Sequence, residues 1–390
     1  MNQVRTAVIG VGNMGSAHAS CIASGKIEGL TLSALCDVSP ERQAYCRTRY
    51  PDILCFSSVE ELVHSGTADA VIVATPHPSH SDVAMQALAA GLDVLVEKPV
   101  DVSLSKAQAL CDAADQSGKI FAVMLNQRTN PLFRKAREIV QSGQLGELKR
   151  TVWIITNWYR TQHYYDSGSW RATWAGEGGG VLLNQCPHQL DLWQWICGMP
   201  VKVQTHMKFG QWHDIEVEDD VTTYVEYENG ATGVFVTTTG DAHGTNRFEI
   251  MMDKAKIVVT YGGIQLKEFE VSEPEWTATC KEGFACMPAA DVTVETDGKN
   301  EQHNGVINAW GGAILRGEPL IADGREGING LMLSNAMHLS AFLGKEVTLP
   351  IDEDLFYEEL KKRIAVSRHK AAPATPAEVV DLSSTYGGGK

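Results

Sequence analysis

The chain has 390 residues, which is too long for one typical hydrophobic core and predicts two or three domains. Its formal net charge of −15, from 33 basic and 48 acidic residues, argues against a nucleic-acid-binding surface and against a basic patch for membranes. Because no run approaches the roughly 20 apolar residues of a membrane helix, no signal peptide precedes the first strand-like run, and the nine cysteines form no C-x-x-C pair, we expect a cytoplasmic protein.

Short runs rich in Val, Ile, Leu and Ala alternate with amphipathic stretches through the first 127 residues. The predicted strands are Arg5–Ile9, Leu30–Cys36, Ala70–Ala74, Asp93–Val96 and Ile120–Val123. The predicted helices lie near His18–Ser24, Pro40–Tyr50, Val59–His64, Ser79–Ala90 and Ser103–Ser117. Continuous apolar strands separated by helices are typical of a parallel sheet covered on both faces. We therefore predict an α/β fold, with a doubly wound Rossmann domain over residues 1–127.

A glycine-rich turn follows the first predicted strand. Residues 10–15 read Gly-Val-Gly-Asn-Met-Gly, the G-x-G-x-x-G pattern that lets a dinucleotide pyrophosphate approach the backbone at a helix start. Asp37 ends the next strand, 22 residues after Gly15, where a carboxylate can bind the ribose hydroxyls and repel a 2′-phosphate. Arg42 lies nearby and could soften that preference. The pattern predicts NAD as the cofactor, in preference to NADP.

After about residue 128 the predicted strands become longer and their residues alternate. They are Leu148–Ile155, Val221–Tyr227, Ala231–Thr238, Arg247–Met252 and Lys256–Tyr261, with a hairpin turn at Asn229-Gly230. Helices are predicted at Asn184–Ile196 and Arg325–Leu343. We predict an α+β domain with a large, mostly antiparallel sheet over residues 128–350, serving substrate binding and oligomerisation. Residues 351–390 are predicted to be a C-terminal extension or tail.

Further motifs make the sequence resemble a known family. They are Ala-Thr-Pro-His-Pro-Ser-His at 74–80, Glu-Lys-Pro at 97–99, the Gly-Gly-Gly-Val-Leu-Leu-Asn-Gln-Cys-Pro-His-Gln-Leu-Asp run at 178–191, Val-Glu-Asp-Asp at 217–220 and Asp-Gly-Arg at 323–325. Together with the glycine turn, they resemble the glucose–fructose oxidoreductase/inositol dehydrogenase (Gfo/Idh/MocA) family over nearly all of residues 4–350. The resemblance implies NAD(P)-dependent oxidation or reduction of a sugar, sugar derivative or cyclitol at a secondary carbinol, by a homodimer or homotetramer.

The glycine turn, the loop-like aromatic segment and the resemblance together select candidate site residues. Those expected to bind the cofactor are Gly10, Gly12, Asn13, Met14, Gly15, Asp37, Arg42, Thr75, Pro76, His77, His80, Glu97, Lys98 and Asn126. Those expected to bind the substrate are Lys98, Arg128, Trp158, Tyr159, Arg160, Trp170, Arg171, Asn184 and His188. We expect no metal, because no carboxylate or cysteine completes a site around His77 and His80.

The resemblance implies three catalytic candidates, because the Glu-Lys-Pro lysine and the D-x-x-x-H pair of the family map to Lys98, Asn184 and His188. Lys98 lies at a strand end, where it can stabilise a developing alkoxide. Asn184, His188 and Asp191 are predicted to share one helix face, and His188 is the best general base because its usual pKa is near neutral. Many family members carry an aspartate where this chain has Asn184, and asparagine cannot take a proton. We therefore expect His188 and Lys98 to manage the proton.

Aromatic residues are concentrated between Trp153 and Trp195. Aromatic faces pack against the C–H face of a sugar ring, and several of these residues lie in loop-like sequence where binding residues are common. We expect Trp153, Trp193 and Trp195 to be core residues instead.

Three functions follow from these motifs. The main prediction is a dehydrogenase for a sugar, glycoside or cyclitol, with the C3 hydroxyl of a glucoside as one candidate. The alternative is a redox-neutral glycosidase that oxidises the sugar transiently, eliminates the aglycone and reduces the product, so that no NADH accumulates. A nucleotide sensor without catalysis is a third, but it would not require Lys98 together with His188.

Overall fold

The computed structural model describes residues 3–368, and its first sheet contains six parallel strands. The strands are β1 Val4–Ile9, β2 Leu30–Cys36, β3 Leu54–Phe56, β4 Ala70–Val73, β5 Asp93–Val96 and β6 Phe121–Val123, in the sheet order β3-β2-β1-β4-β5-β6. The helices between them are α1 Asn13–Ala23, α2 Pro40–Arg49, α3 Val59–His64, α4 His80–Ala89 and α5 Leu104–Ser117. This strand order confirms the predicted doubly wound Rossmann fold. Strand β3 was not predicted, because it has three residues and none of them is fully buried.

The second sheet has nine strands. They are β7 Leu148–Ile155, β8 Lys202–Phe209, β9 Glu218–Glu226, β10 Thr232–Thr238, β11 Asn246–Met252, β12 Ala255–Thr260, β13 Gly263–Phe269, β14 Ala289–Thr293 and β15 Val347–Thr348, in the order β14-β13-β12-β11-β7-β10-β9-β8-β15. Every neighbouring pair is antiparallel except β7 and β10, which confirms the predicted mostly antiparallel sheet.

The predicted hairpin joins β9 to β10. Gly230 has a φ of +83°, and its N–H donates to the Tyr227 carbonyl, which closes the turn. Glycine adopts this left-handed conformation without strain, so Asn229-Gly230 sets the position of the turn.

Seven further helices are distributed along the rest of the described chain. They are α6 Pro131–Gln141, α7 Gln162–Asp166, α8 Pro187–Cys197, α9 Glu273–Thr279, α10 Gln302–Arg316, α11 Gly327–Leu343 and α12 Glu353–Ile364. The core between the second sheet and its helices is aromatic: Trp193 stacks on Phe235 and Trp153 on Phe248, at centroid distances of 5.4 and 4.3 Å. Trp153 and Trp193 are buried as predicted, whereas Trp195 is half-buried beneath Arg137.

Helix α10 returns to the first sheet. Its residues Val306, Ile307 and Trp310 are buried in one cluster with Val8 of β1 and Leu30 of β2. Part of the predicted second domain, residues 128–350, therefore packs on the Rossmann sheet. The predicted extension begins with α12, which buries Phe356 and Leu360, whereas residues 369–390 lie outside the described residues. No helix within residues 3–368 is long and apolar enough to cross a membrane.

Two predicted helix starts are wrong: α1 begins at Asn13, five residues before the predicted His18, and α8 begins after the predicted Asn184. Helix α8 begins at Pro187, so Asn184 lies in the preceding turn and does not share a helix face with His188 and Asp191. Proline fixes φ at a helical value and disfavours helix in the residue before it, so it favours the first helical position. The glycine run continues as turns up to Cys186, whose backbone is not helical.

Candidate functional site

The glycine turn follows β1 at the carboxyl ends of the strands, where β1 is paired with both β2 and β4. Gly10 has a φ of +86°, and a Cβ there would lie 2.6 Å from the Ala74 carbonyl oxygen. A Cβ at Gly15 would lie 1.8 Å from the Gly10 oxygen, so both positions require glycine. A Cβ at Gly12, in contrast, would meet nothing within 4 Å, and helix α1 begins at Asn13 without a side-chain cap or an acidic residue in its first turn. This open helix start fits a dinucleotide pyrophosphate.

Asp37 and Arg42 both contact the glycine turn. The Asp37 carboxylate accepts from the amides of Val11 and Ser39, at 2.8 and 2.9 Å. It is half-buried, and its oxygens retain lone pairs for ribose hydroxyls. Arg42 donates to the Val11 carbonyl and to Ser16 Oγ. These bonds direct Arg42 to the turn, so Asp37 is the group placed to discriminate against a 2′-phosphate.

His80 stabilises the loop after β4. Its ring nitrogens lie 2.7 Å from the carbonyl oxygens of Pro99 and Thr75, so His80 joins this loop to the Glu-Lys-Pro turn. His80 is 1% exposed, which indicates a role in positioning the loop. His77 lies beside it with its ring 5.9 Å from that of Trp170, and burial lowers the pKa of His77 well below its usual value.

The Lys98 turn contains a buried ion pair. Glu97 is 6% exposed, and its Oε1 lies 2.6 Å from His18 Nε2 on helix α1. Burial opposes ionisation of Glu97, but the hydrogen bond and charge of His18 lower the pKa of Glu97 to about 2. Its other oxygen accepts the Lys98 amide. Glu97 therefore fixes the backbone from which Lys98 extends, and is itself directed away from the pocket.

Lys98 connects the two halves of the site. Its ammonium donates to the Asn184 carbonyl oxygen at 3.0 Å, and burial lowers the pKa of Lys98. His188 is the second residue of α8 and is 2% exposed. Burial and the charge of Lys98 lower the pKa of His188 well below its usual value, so its imidazole is neutral at pH 7. The structure therefore brings together the three predicted catalytic residues Lys98, Asn184 and His188.

An aromatic loop between β7 and the glycine run faces the His77 loop. The Tyr164 ring lies between two guanidinium groups, with Arg160 at 5.1 Å and Arg171 at 4.4 Å from its centroid. Arg171 also covers Trp170, whose edge contacts His77. This geometry places Trp170, Arg171 and Arg160 where the second sheet meets the Rossmann loops.

Two other residues of this loop that were predicted to bind the substrate differ in their exposure. Tyr159 is 45% exposed, whereas Trp158 is 6% exposed and packs in the main core. Trp158 is therefore placed as a support for the loop.

Arg128 does not face a pocket. Its guanidinium is 1% exposed and donates to both Asp191 oxygens, at 2.7 and 2.8 Å, and to Glu326. All three nitrogens are used within the chain, which contradicts the expected substrate contact. Asn126 next to it is fully buried: its amide donates to Gln302, and its Oδ1 has no hydrogen-bond partner within residues 3–368. That oxygen is free to accept from a cofactor amide.

Sequence reasoning missed three groups around these residues. The first is Glu177, which accepts a hydrogen bond from Asn184. The second is the buried pair of Glu218 and His338, which stabilises the glycine run. The third is Gln302 and His303 of α10, which lie beside Asn126 and His18. A glutamate directly before three glycines was a visible signal for Glu177. The other groups come from positions far away in sequence. Within the described residues, no three His, Cys, Asp or Glu side chains are placed to share a metal.

Two family models match the sequence. Residues 4–125 match the oxidoreductase family with an NAD-binding Rossmann fold, and residues 133–258 match the GFO/IDH/MocA C-terminal domain. The chain is 24% identical to the scyllo-inositol 2-dehydrogenase (NAD(+)) of Bacillus subtilis, covering 60% of this chain and 66% of the relative. It is 27% identical to the D-glucoside 3-dehydrogenase of Escherichia coli, covering 58% of this chain and 68% of the relative.

Solved structures match over more of the chain. The WlbA dehydrogenase of Chromobacterium violaceum has 27% identity and a TM-score of 0.75, covering 90% of this chain and 97% of that one. The sequence alignments with the first four curated relatives span only 50% to 66% of their lengths. The structural match therefore supports the overall fold, and the sequence matches support the assignment of the two domains.

Proposed function

Because the chain belongs to the GFO/IDH/MocA oxidoreductase family, we propose that it is an NAD-dependent dehydrogenase for a secondary hydroxyl group of a sugar, a glycoside or a cyclitol. The observation that carries the proposal is the convergence of Lys98, Asn184 and His188 at the carboxyl edge of the Rossmann sheet. Strand ends at this edge are where doubly wound sheets bind ligands.

The proton moves between the substrate hydroxyl and His188. The glycine turn at residues 10–15 would hold NAD, which would supply the acceptor for the hydride of the carbinol carbon. His188 is neutral at pH 7, so it can accept the hydroxyl proton as the carbonyl forms. Lys98 donates a hydrogen bond to the same oxygen and stabilises its developing negative charge. In the reverse direction His188 returns the proton to the carbonyl oxygen.

The aromatic loop is the proposed sugar-binding wall. Trp170 presents an apolar ring, and the guanidinium groups of Arg160 and Arg171 supply donors for sugar hydroxyls. The relatives support this class of substrate: one is an inositol dehydrogenase, one is a D-glucoside dehydrogenase, and the WlbA structure is a complex with NADH and UDP-GlcNAcA.

A substrate screen tests the proposal. Purified protein is mixed with NAD and a panel of inositols, monosaccharides and glycosides, while absorbance at the NADH wavelength and product masses are followed. We expect NADH and a keto-sugar in equal amounts, and no NADH from Lys98→Met, a variant of similar length without the charge. Free aglycone without NADH would instead identify the redox-neutral glycosidase. Neither product from any compound would contradict both.

We also propose that the outer face of the second sheet forms a homo-oligomer interface. Val152 and Ile154 of β7 pair with Val234 and Val236 of β10, and all four side chains are only half-buried within the chain. A contiguous apolar patch of this kind is typical of an interaction surface. Light scattering at micromolar concentration should give a multiple of 42.5 kDa, and Val234→Glu should give the monomer.

A further inference from the structure

Glu177 is a buried carboxylate at the edge of the proposed site. It is 1% exposed, and Arg, Lys and His side chains within the described residues form no ion pair with it inside 4 Å. One of its oxygens accepts the Ala172 amide at 2.6 Å, and the other accepts from Asn184 Nδ2. Burial raises the pKa of Glu177, whereas the charge of Arg171 and the N–H groups of Ala172 and Asn184 favour its ionised form. A buried carboxylate without a cation in direct contact is costly to ionise, so these two N–H donors matter for its charge.

Glu177 fixes the orientation of the Asn184 amide. A carboxylate offers only acceptors, so the donor Nδ2 must face Glu177 and the acceptor Oδ1 must face the other way. The same residue accepts the Lys98 ammonium with its backbone carbonyl oxygen. Asn184 is half-buried, and its Nδ2 is already bonded to Glu177, so its side-chain oxygen is the atom left to accept from a substrate hydroxyl group.

The charge of Glu177 acts on Lys98. The titratable groups around Lys98 are Glu97, Glu177, Arg171 and Cys186, together with the imidazoles of His77, His188 and His303. Burial lowers the pKa of Lys98, and Glu97 and Glu177 oppose that effect. Glu97 is paired with His18, whereas the cation that acts on Glu177 is Arg171, which forms no ion pair with it inside 4 Å. Glu177 is therefore a negative charge near the ammonium without a cation in direct contact.

We propose that Glu177 is a positioning residue, and that Glu177 and Asn184 divide two tasks that one aspartate at position 184 would combine. Glu177 supplies the buried negative charge, and Asn184 supplies the uncharged acceptor that faces the sugar hydroxyl. This inference rests on the proposed dehydrogenase function.

Exchanging the acid and the amide between positions 177 and 184 tests the proposal. In Glu177→Gln, the introduced side chain must accept from Ala172 with its oxygen, so its NH2 faces Asn184 and turns that amide around. We expect kcat/KM to fall by roughly 10- to 100-fold, the range for a hydrogen bond to a charged group. In Asn184→Asp, two carboxylates meet and we expect a similar loss. The double variant restores both the N–H···O bond and the charge, and should recover to within about 5-fold of the parent enzyme.

A second measurement does not depend on a substrate. Competitive labelling with acetic anhydride, read by mass spectrometry, gives the pKa of Lys98 in each folded variant. We expect that pKa to fall in Glu177→Gln, because a negative charge near the ammonium is lost, and to return in the double variant. If no sugar is oxidised by the parent enzyme, the dehydrogenase proposal fails while this measurement still tests Glu177.

Glu216→Gln is the matched control. Glu216 accepts the Trp174 amide in the same loop but does not contact Asn184, so its loss should leave kcat/KM and the pKa of Lys98 unchanged. The proposal is overturned if Glu177→Gln behaves as the parent enzyme, or if the double variant is no better than either single one. Failure to fold in both variants that carry Glu177→Gln assigns Glu177 to loop structure and also overturns it.

Discussion

The Lys98 turn and the glycine run before α8 are each stabilised by a buried glutamate that lies beside a histidine. The two glutamates come from different distances along the chain. On the Rossmann side, Glu97 pairs with His18 and accepts the adjacent Lys98 amide. On the other side, Glu218 accepts the amides of Gly180 and Leu182, and its Oε2 lies 3.0 Å from His338 Nε2.

The difference between the two supports lies in sequence distance. Glu97 is part of the turn that it stabilises, whereas Glu218 belongs to β9 and reaches the glycine run from 38 residues away. A Cβ at Gly180 would lie 2.1 Å from the Glu218 carbonyl oxygen, so the run needs glycine to approach the strand. The Lys98 side is thus determined locally, and the Asn184 side depends on assembly of the second sheet.

The largest expected effect separates the chemical roles of the two sides. His188→Ala should reduce kcat by roughly 10²–10⁴, the usual contribution of a general base, with little change in NAD affinity. Lys98→Ala should reduce kcat and also weaken substrate or cofactor binding, because Lys98 extends from the cofactor domain. Steady-state kinetics and fluorescence titration with NAD measure both. A His188→Ala rate within a few-fold of the parent enzyme would assign the base to Lys98 or a tyrosine.

The next prediction compares how much Glu97 and Glu218 stabilise the folded protein. The pKa of Glu97 is lowered from 4.5 to about 2, so its stabilisation is fully present above pH 4.5 and is lost as the pH falls towards 2. The shift corresponds to about 3 kcal/mol of unfolding free energy. Glu97→Gln should be less stable at pH 7 and should lose stability less steeply below pH 4.5. Urea unfolding at several pH values measures this.

Glu218→Gln provides the companion measurement. The pKa of Glu218 is also lowered, because the charge and hydrogen bond of His338 outweigh burial, so the sign of its pH dependence is the same. Gly180 and Leu182 donate to different oxygens of Glu218, so the NH2 group of Glu218→Gln must face one of these two N–H donors, whereas the NH2 group of Glu97→Gln can face the His18 ring. Glu218→Gln should therefore be the less stable of the two variants at pH 7. Equal stability of the two variants would show that the local and distant supports are equivalent.

The first sheet and its motifs could be predicted because their signals are local. Continuous apolar strands, the glycine turn and Asp37 all lie within short segments, and the structure has them as expected. The short edge strand β3 could not be predicted, because it buries too little to show a pattern. The return of α10 to the first sheet could not be predicted either, since the amphipathic face of a helix does not identify the sheet that it covers.

The site was predictable only in part. Lys98 and His188 were found from motifs, but the local sequence did not show that Arg128 would form ion pairs with Asp191 and Glu326. The helix assigned to Asn184 failed because the glycine run is held by distant β9 contacts, and Pro187 instead marks the helix start. Partners that arrive from remote strands and helices decide which polar side chains remain available.

A smaller effect concerns the cofactor side alone. Asp37→Asn keeps the shape and an acceptor but removes the charge that repels a 2′-phosphate. We expect the ratio of NAD to NADP affinity to fall by about 10-fold, corresponding to a charge interaction of roughly 1.4 kcal/mol near the surface. Parallel titrations with both cofactors measure the ratio, and Asp52→Asn serves as a surface control. Equal or tighter binding of NADP by the parent enzyme would contradict the role of Asp37.

The smallest expected effect tests the contact between the two sides. Trp170 belongs to the aromatic loop but touches His77 on the cofactor side, at 5.9 Å between ring centroids. Trp170→Ala removes one aromatic face from the proposed sugar wall, which is worth about 0.5–1.5 kcal/mol, so KM for the sugar should rise by roughly 2- to 10-fold. Because Lys98 and His188 remain in place, kcat should change by less than about 3-fold. Trp276→Ala on α9 is the matched control and should leave both constants unchanged. A loss confined to kcat would place Trp170 with the cofactor loop, and would show that the sugar is bound by other residues.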